Sequence, residues 1–226
     1  MDCAVKYQRA PKNIGGRAVK NGVVMRGKNK LAVTVRSGET LITRVFDIRK
    51  PAGKTGILAV LDIGGVILSG LKNTVDVARL SHKGDTGGLN TTLRYHGAEH
   101  KTIHCYEKGL PLTVENASGQ PLYHPRCGTS LAANLALTRL AMYLVPSKIR
   151  NAAGGLPDIV LTALSLGISV KAWHYSGRES GRLAKVLALP GRAVQKLTVR
   201  EPDADMLACA IESAKLVMER QREIKK

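Results

Sequence analysis

Two runs of β-branched residues near the start of the chain, followed by long stretches with helical periodicity, constrain the fold most strongly. The runs Leu31–Arg36 and Thr40–Phe46 flank the segment Ser37-Gly38-Glu39. β-Branched residues favour strands, and a three-residue loop containing glycine commonly joins the two strands of a hairpin. Upstream, the glycine-rich segment 14–27 is typical of a strand and a tight turn. We therefore predict a β-rich region at the front of the chain.

The later stretches indicate helices rather than alternating strands and helices. An early hairpin followed by helices favours an α+β fold, and 226 residues suffice for one hydrophobic core. We predict a β-hairpin-containing N-terminal region over residues 1–50 and a mainly helical body with short strands over 51–226, integrated into one domain. The predicted elements of the body are helices at 57–80, 129–144, 158–175 and 203–222, a polar loop at 81–90 and a short strand at 112–116. The motif segment 95–107 is considered as a further helix.

The chain is strongly basic. It has 35 Lys and Arg against 17 Asp and Glu, for a formal charge of +18. Such a surface attracts nucleic acid, an anionic membrane face or an anionic substrate. With one Phe, one Trp and no clear zinc-finger spacing, nucleic-acid binding is possible but supported by no motif. We expect an anionic membrane surface as partner, and leave the small-molecule substrate and the oligomeric state open.

The cysteines and the apolar stretches bear on location. Four scattered cysteines and a first segment without an apolar signal-peptide region predict a reducing, cytosol-facing location. Three apolar stretches, 56–72, 131–145 and 159–170, are each shorter than the ~20 residues that span a bilayer. Considered alone, they are buried or interfacial helices.

The segment Tyr95–Lys101 carries the chemistry. On a helix, His96 and His100 lie one turn apart on nearly the same face, so they can share one metal ion. Glu99 lies close enough to that face to contact a metal-bound water as a general base. The spacing also fits the His-x-x-Glu-His pattern of the inverted zincins.

Further ligands must come from elsewhere in the chain. Glu107 would lie about 10 Å along the helix axis from His100, too far to join the same ion. The best sources are His124 and Cys127, since imidazole and thiolate both suit zinc. Three protein ligands plus water would leave the position that hydrolysis requires, whereas four would indicate a closed structural site.

These motifs also resemble a known family. The segments 95–107, 112–116 and 124–130 closely resemble the core of the bacterial "domain of unknown function 1385" family, and the resemblance extends to 14–27, 189–191, 195–198 and 200–202. It implies a membrane-associated, predicted metal-dependent enzyme with its polar motifs on the cytosolic side. The chain departs from the family at Asn21, where a glutamate is usual, and between Leu80 and Arg94, where other members commonly have extra hydrophobic spans.

Together these features predict a hydrolase-like enzyme at the cytosolic face of the membrane, peripheral or partly embedded, using zinc or another divalent transition metal; a cytoplasmic location is the alternative. An alternative function is a non-enzymatic basic binding or assembly protein with a structural metal site, engaging anionic lipid or RNA. A third possibility is a hydrogen-bonded histidine cluster without metal. The candidate supporting residues are His104, Glu107 and Glu115, and the candidate substrate-binding residues are Lys101, Arg126 and Arg26.

Overall fold

The computed structural model describes residues 14–48, 72–73, 75–80, 88–144, 158–178 and 181–223. The chain forms two compact units: unit 1 comprises 1–122 together with 199–226, and unit 2 comprises 123–198. The boundary predicted at residue 50 and most of the apolar stretch 56–72 lie outside the described residues and stay predictions.

The front of unit 1 is a four-stranded antiparallel sheet in the order β1-β2-β3-β4. Its strands are β1 (Gly15–Val19), β2 (Gly22–Arg26), β3 (Lys30–Ser37) and β4 (Thr40–Asp47). The predicted hairpin is confirmed, but its loop is shorter by one residue because Ser37 pairs directly with Thr40. Gly38 has a φ of 60°, which suits the first position of a two-residue type II′ turn.

Helices make up most of the rest of the described chain, and the predicted α+β class is confirmed. The helices predicted at 129–144, 158–175 and 203–222 are also confirmed, with ends that differ by a few residues, and the motif segment 95–107 is helical. Residues 72–73 and 75–80 are helical as well. The helices are α1 (Leu89–Glu107), α2 (Val114–Ser118), α3 (Gly128–Tyr143), α4 (Asp158–Arg178), α5 (Arg182–Thr198) and α6 (Ala204–Glu223).

Two local predictions are wrong. The strand predicted at 112–116 is the start of α2, because the Thr113 hydroxyl accepts a hydrogen bond from the Asn116 N–H at 3.2 Å and caps a helix. The loop predicted at 81–90 ends earlier, since α1 begins at Leu89. Residues 81–87 of that loop lie outside the described part of the chain.

The sheet of unit 1 is covered on both faces. Helix α6 packs on β2 and β3, and the Ser213 hydroxyl donates to the Ala32 carbonyl at 2.9 Å. Helix α1 packs on β1 and on α6. On the other face, Val77 and Leu80 pack with the valines of β2 and β3. Burial on both faces explains why the central strands β2 and β3 are almost continuously apolar. Helix α1 packs against the edge strand β1.

Unit 2 consists, in its described part, of α3, α4 and α5 packed against one another. Its buried side chains are small or polar, and the hydroxyls of Thr138 and Ser169 lie 2.7 Å apart between α3 and α4. No Leu, Ile, Val, Tyr or Trp side chain of this described part is buried. Among the described residues, no helix has both the length and the apolar character needed to cross a membrane.

Candidate metal centre

Helix α1 carries the central motif and is fixed along its length by the core of unit 1. Tyr95, Ala98, Ile103 and Cys105 on this helix are buried in the hydrophobic core. The helix ends where Gly109 adopts a φ of 73°, which lets the Leu110 N–H reach back to the Cys105 carbonyl at 3.1 Å. The histidines therefore lie on a rigid element rather than on a loop.

His96, Glu99 and His100 come together on α1 as their spacing predicts. The Nε2 atoms of His96 and His100 lie 4.0 and 3.6 Å from the same carboxylate oxygen, Oε2 of Glu99. The two imidazole rings have centroids 4.4 Å apart, and ring nitrogens within 4.8 Å of each other. The side chain of His100 is 1% exposed and that of Glu99 6%. Both histidines thus direct the same type of nitrogen toward one buried carboxylate.

A backbone carbonyl orients His100. Its Nδ1 lies 2.6 Å from the carbonyl oxygen of Leu122. A carbonyl can only accept a hydrogen bond, so the contact requires the proton on Nδ1 and leaves the lone pair of the neutral ring on Nε2. Metal-binding histidines in proteins are commonly oriented in this way.

The edge strand β1 lies directly against Glu99. A Cβ at Gly16 would be 2.8 Å from Glu99 Cγ and 2.9 Å from Glu99 Oε1. Only a residue without a side chain allows the strand this close, so Gly16 helps to define where the carboxylate lies. Sequence reasoning did not assign this glycine to the site, although the Gly15-Gly16 pair at the start of a strand is a signal for close backbone approach.

The segment 199–203 crosses α1 at Gly97. The Arg200 N–H donates to the Leu93 carbonyl at 3.0 Å, and the Arg200 carbonyl occupies the space where a Cβ of Gly97 would lie. Arg94 holds the same segment through the Glu201 carbonyl at 3.1 Å and the Asp203 carboxylate at 3.0 Å. Glycine in a helix interior is normally unfavourable. Here it permits a crossing beside His96.

Lys101 is buried and has partners within unit 1. Its ammonium donates to the Ser118 carbonyl at 2.6 Å and pairs with the Glu201 carboxylate at 2.6 Å. Contact of Lys101 with a substrate stays a prediction.

The other site residues predicted in unit 1 lie outside the cluster of His96, Glu99 and His100. His104 and Glu107 lie further along α1, with a ring nitrogen and a carboxylate oxygen within 4.8 Å of each other. Glu115 is exposed in the first turn of α2, where hydrogen bonds from its own backbone N–H and from the Thr113 hydroxyl lower its pKa. Arg26 is exposed at the end of β2. Neither Glu115 nor Arg26 has a contact that tests its predicted role.

His124 lies in unit 2 with a well-defined backbone. The Gln195 side chain accepts from the His124 N–H and donates to the His124 carbonyl, both at 3.0 Å. The same amide donates to the Ser130 hydroxyl at 2.7 Å. The sequence did not predict that Gln195 holds the His124 backbone. The signal that could have indicated it is a glutamine on the same helix face as Ala184, Ala188 and Gly191.

Cys127 caps the N-terminus of α3 in unit 2. Its Sγ lies 3.1 Å from the Thr129 hydroxyl, and its carbonyl accepts a hydrogen bond from Trp173 Nε1 at 3.1 Å. Arg126 packs against Gly177 of α4. The predicted roles of His124, Cys127 and Arg126 stay predictions from the sequence.

The fold and this helix define a class of α+β protein with a His-Glu-His cluster on one helix, in which Glu99 and His100 are buried. The chain belongs to the family of proteins of unknown function DUF1385, whose family model matches residues 79–220. The protein YqhQ of Bacillus subtilis (strain 168), described as uncharacterized, is 35% identical over 127 residues. The aligned residues cover 55% of this chain and 40% of YqhQ, so the chain spans less than half the length of that relative. No solved structure matches.

Proposed function

We propose that this protein is a metal-dependent, hydrolase-like enzyme at the cytosolic face of the membrane, and that His96 and His100 hold a divalent transition metal, zinc by preference. Glu99 acts as the general base. A zinc ion lowers the pKa of a bound water to about 7, and a carboxylate beside that water removes its proton. The chemistry requires a base close to, but not bound to, the ion.

One observation carries the proposal: two histidine Nε2 atoms face one carboxylate oxygen at 4.0 and 3.6 Å. Both distances exceed a direct hydrogen bond of about 2.7–3.2 Å. Such spacing would leave room for a water between the Glu99 carboxylate and an ion held by the two Nε2 atoms. The Leu122 carbonyl, by selecting the Nδ1–H form of His100, supports the same arrangement.

The remaining ligands are proposed from the sequence. His124 and Cys127 are the candidates, because imidazole and thiolate both suit zinc. Three protein ligands plus water give an open catalytic site, and four give a closed one.

The membrane location rests on the unusual burial of unit 2. Water-soluble helices bury their large apolar side chains, whereas helices in lipid pack through small and hydroxyl side chains and turn the large apolar ones outward. Unit 2 follows the second pattern, with Ser165 and Ser169 buried and their large neighbours exposed. The exposed neighbours on α4 include Ile159, Leu164, Leu166 and Ile168.

Metal binding is tested by elemental analysis of the protein purified without a histidine tag. We expect close to one equivalent of zinc in the wild type and little in the His96→Ala and His100→Ala variants. A Lys108→Ala variant, altered at an exposed residue just after α1, serves as control. His124→Ala and Cys127→Ser report the rest of the ligand set. Equal, low metal content in the wild type and both histidine variants would support a metal-free histidine cluster instead.

Catalysis is tested with chromogenic ester and phosphodiester substrates. We expect Glu99→Gln to keep the metal and to lower kcat by about 10²–10⁴, the usual contribution of a general base. The alternative function, a basic binding or assembly protein with a structural metal, gives a different result. It would retain zinc in Glu99→Gln, show four protein ligands at the metal absorption edge, and hydrolyse none of the substrates.

A further inference from the structure

Helix α5 packs against the rest of unit 2 mainly through small side chains. Its buried residues, Ala184, Ala188, Gly191 and Gln195, recur at the spacing of one helix face. A Cβ on Gly191 would overlap the Ser130 side chain, and Gln195 donates to the same Ser130 hydroxyl. The close packing uses no large apolar residue. All large apolar side chains of α5 are therefore at least partly exposed.

The outward part of α5 divides into two stripes. At 100° per residue, Leu183, Val186 and Leu197 fall within an arc of about 60°, and they are 59%, 58% and 71% exposed. The adjacent arc of about 80° holds every charged residue of the helix, together with Leu189, which is 56% exposed. The charged residues are all basic: Arg182, Lys185, Arg192 and Lys196.

We propose that α5 binds an anionic lipid bilayer while lying in its plane. The basic stripe contacts headgroup phosphates, and the leucine and valine stripe enters the boundary of the acyl chains. Helices with this division of charged and apolar residues bind at membrane interfaces, and each basic residue near an anionic surface strengthens the association. The proposal deepens, and rests on, the proposed membrane location.

The surrounding unit agrees with a lipid partner. Residues 123–198 contain ten Lys and Arg against two Asp and Glu. The helices packed against α5 also expose large apolar residues, among them Leu137 and Leu140 on α3. An apolar surface inside a strongly basic unit is complementary to a bilayer with anionic headgroups.

Two other partners fit the helix less well. RNA would leave the leucine and valine stripe in water, and α5 has no Phe, Tyr or Trp on which a base could stack. A second copy of the chain would bring two basic surfaces together, and lysine is depleted from interfaces between proteins. Both become outcomes of the test.

The proposed contact between the basic stripe of α5 and anionic headgroups is tested by co-flotation of the full chain with vesicles. One set contains phosphatidylcholine alone, and the other contains equal amounts of phosphatidylcholine and phosphatidylglycerol. In the anionic set, a triple variant Arg182→Gln, Lys185→Gln, Lys196→Gln is expected to bind roughly five-fold more weakly for each charge removed. Arg192 is kept because its guanidinium lies 4.6 Å above the Tyr123 ring and has a structural contact.

A matched triple variant controls for total charge. Arg44, Lys108 and Lys215 are exposed in unit 1, and their replacement by Gln removes the same charge away from α5. We expect it to weaken binding by less than two-fold per charge. An equal loss in both triple variants would overturn the assignment to α5.

The apolar part is tested with Leu183→Ser, Val186→Ser and Leu197→Ser combined. The control combines Leu41→Ser, Val75→Ser and Leu89→Ser, which are the exposed large apolar residues of the described part of unit 1. We expect the α5 variant alone to lose vesicle binding at least ten-fold, with unchanged zinc content. Retained binding would overturn the proposal, as would a change in oligomeric state measured by light scattering, or a preference for polyuridylate over anionic vesicles.

The outcomes separate the two proposals. If the wild type binds neither vesicle set, both the membrane location and the role of α5 are wrong. If the wild type and both α5 variants bind equally, the location stands and the assignment to α5 is wrong. The zinc content tests the metal site independently of either result.

Discussion

At the scale of single residues, the candidate site depends on positions where a side chain is absent. Gly97 admits the Arg200 carbonyl beside His96, and Gly16 admits strand β1 beside Glu99. In each case, backbone from a distant part of the chain contributes to the surroundings of a functional side chain. Substitution of either glycine is therefore expected to alter the site before it alters the rest of the fold.

Gly16→Ala is the sharper of the two tests. The new Cβ would lie 2.8 Å from both Glu99 Cγ and the Val24 carbonyl oxygen, so either strand β1 or the Glu99 side chain must move. We expect a loss of about 1–3 kcal/mol in the free energy of unfolding, and a fall in kcat of about 10²-fold with zinc retained, because the general base is displaced. The measurements are urea unfolding, zinc content and hydrolysis of the chromogenic substrates. Gly15→Ala is the control, because no described atom lies within 4 Å of its Cβ; equal effects of the two variants would contradict the argument.

Cys209 gives a prediction for alkaline pH. Burial raises the pKa of its thiol from 9.0 to about 12. The thiol ionises more readily in the unfolded chain, so its contribution to stability is complete below about pH 9 and is lost as the pH rises toward 12. The wild type should lose up to about 1.4 kcal/mol per pH unit relative to Cys209→Ala in this window. Urea unfolding of both proteins at several pH values checks this, and a constant difference between them would show that the thiol does not titrate as argued.

The sequence predicted the residues that act through local spacing. His96, Glu99 and His100 lie within about 1.1 helical turns, so helix geometry alone brings them together. Gly16 and the Leu122 carbonyl were not predictable in this way, because their positions depend on how a strand and a loop pack against α1. Long-range packing, rather than residue type, decides such contacts.

At the scale of elements, the segment 199–203 connects α5 to α6 and is held across α1 by backbone and charged contacts. In the ion pair between Lys101 and Glu201, the lysine side chain is almost fully shielded from solvent, at 6% exposed, whereas the glutamate is 64% exposed. The pair between Arg36 and Asp205, just beyond the segment, is more open, at 32% and 65%. The two pairs differ mainly in the burial of the cation.

This difference predicts unequal effects of two similar substitutions. Glu201→Gln leaves a buried ammonium without its carboxylate, and we expect a loss of about 1–2 kcal/mol, reduced from that of a fully buried pair because the glutamate is partly solvated. Asp205→Asn should cost at most about 1 kcal/mol. Urea unfolding at low and high salt measures both. A larger loss for Asp205→Asn would mean that helix-terminal charge, rather than burial, controls this region.

Element prediction failed where tertiary contacts override local preference. Helix α5 was not predicted because Pro190 and Gly191 normally interrupt helices. The structure keeps the helix, and Gly191 is the residue that permits contact with Ser130. The segment 112–116 has β-branched residues, but Thr113 caps a short helix instead. By contrast, the hairpin and the helices α3, α4 and α6 have patterns strong enough to be predicted.

At the scale of the whole molecule, the two units bury opposite kinds of side chain. Unit 1 has an ordinary apolar core, with residues such as Val23, Met25 and Val217 fully buried. Unit 2 exposes the large apolar residues of the stretch 159–170, which the sequence allowed to be either buried or interfacial. Hydropathy alone could not decide between these, because it does not say which neighbours cover a helix.

The two units also allow a test of the metal with separate probes. Trp173, the single tryptophan of the chain, lies in unit 2, whereas His96 and His100 lie in unit 1. Free zinc at about 100 times its dissociation constant stabilises a folded protein by about 2.7 kcal/mol, which corresponds to about 5–11 °C in Tm for a chain of this size. Circular dichroism of wild type should therefore show a higher Tm with zinc than with a chelator, and His100→Ala should show no difference.

The fluorescence of Trp173 then reports whether the predicted ligand set is complete. If zinc is held by His96 and His100 with water alone, the transition followed by fluorescence should not depend on zinc. If His124 and Cys127 also bind the ion, as predicted from the sequence, the fluorescence transition should shift upward as well, and the His124→Ala, Cys127→Ser double variant should abolish that shift. A zinc response in fluorescence that survives the double variant would show that other residues of unit 2 bind the metal.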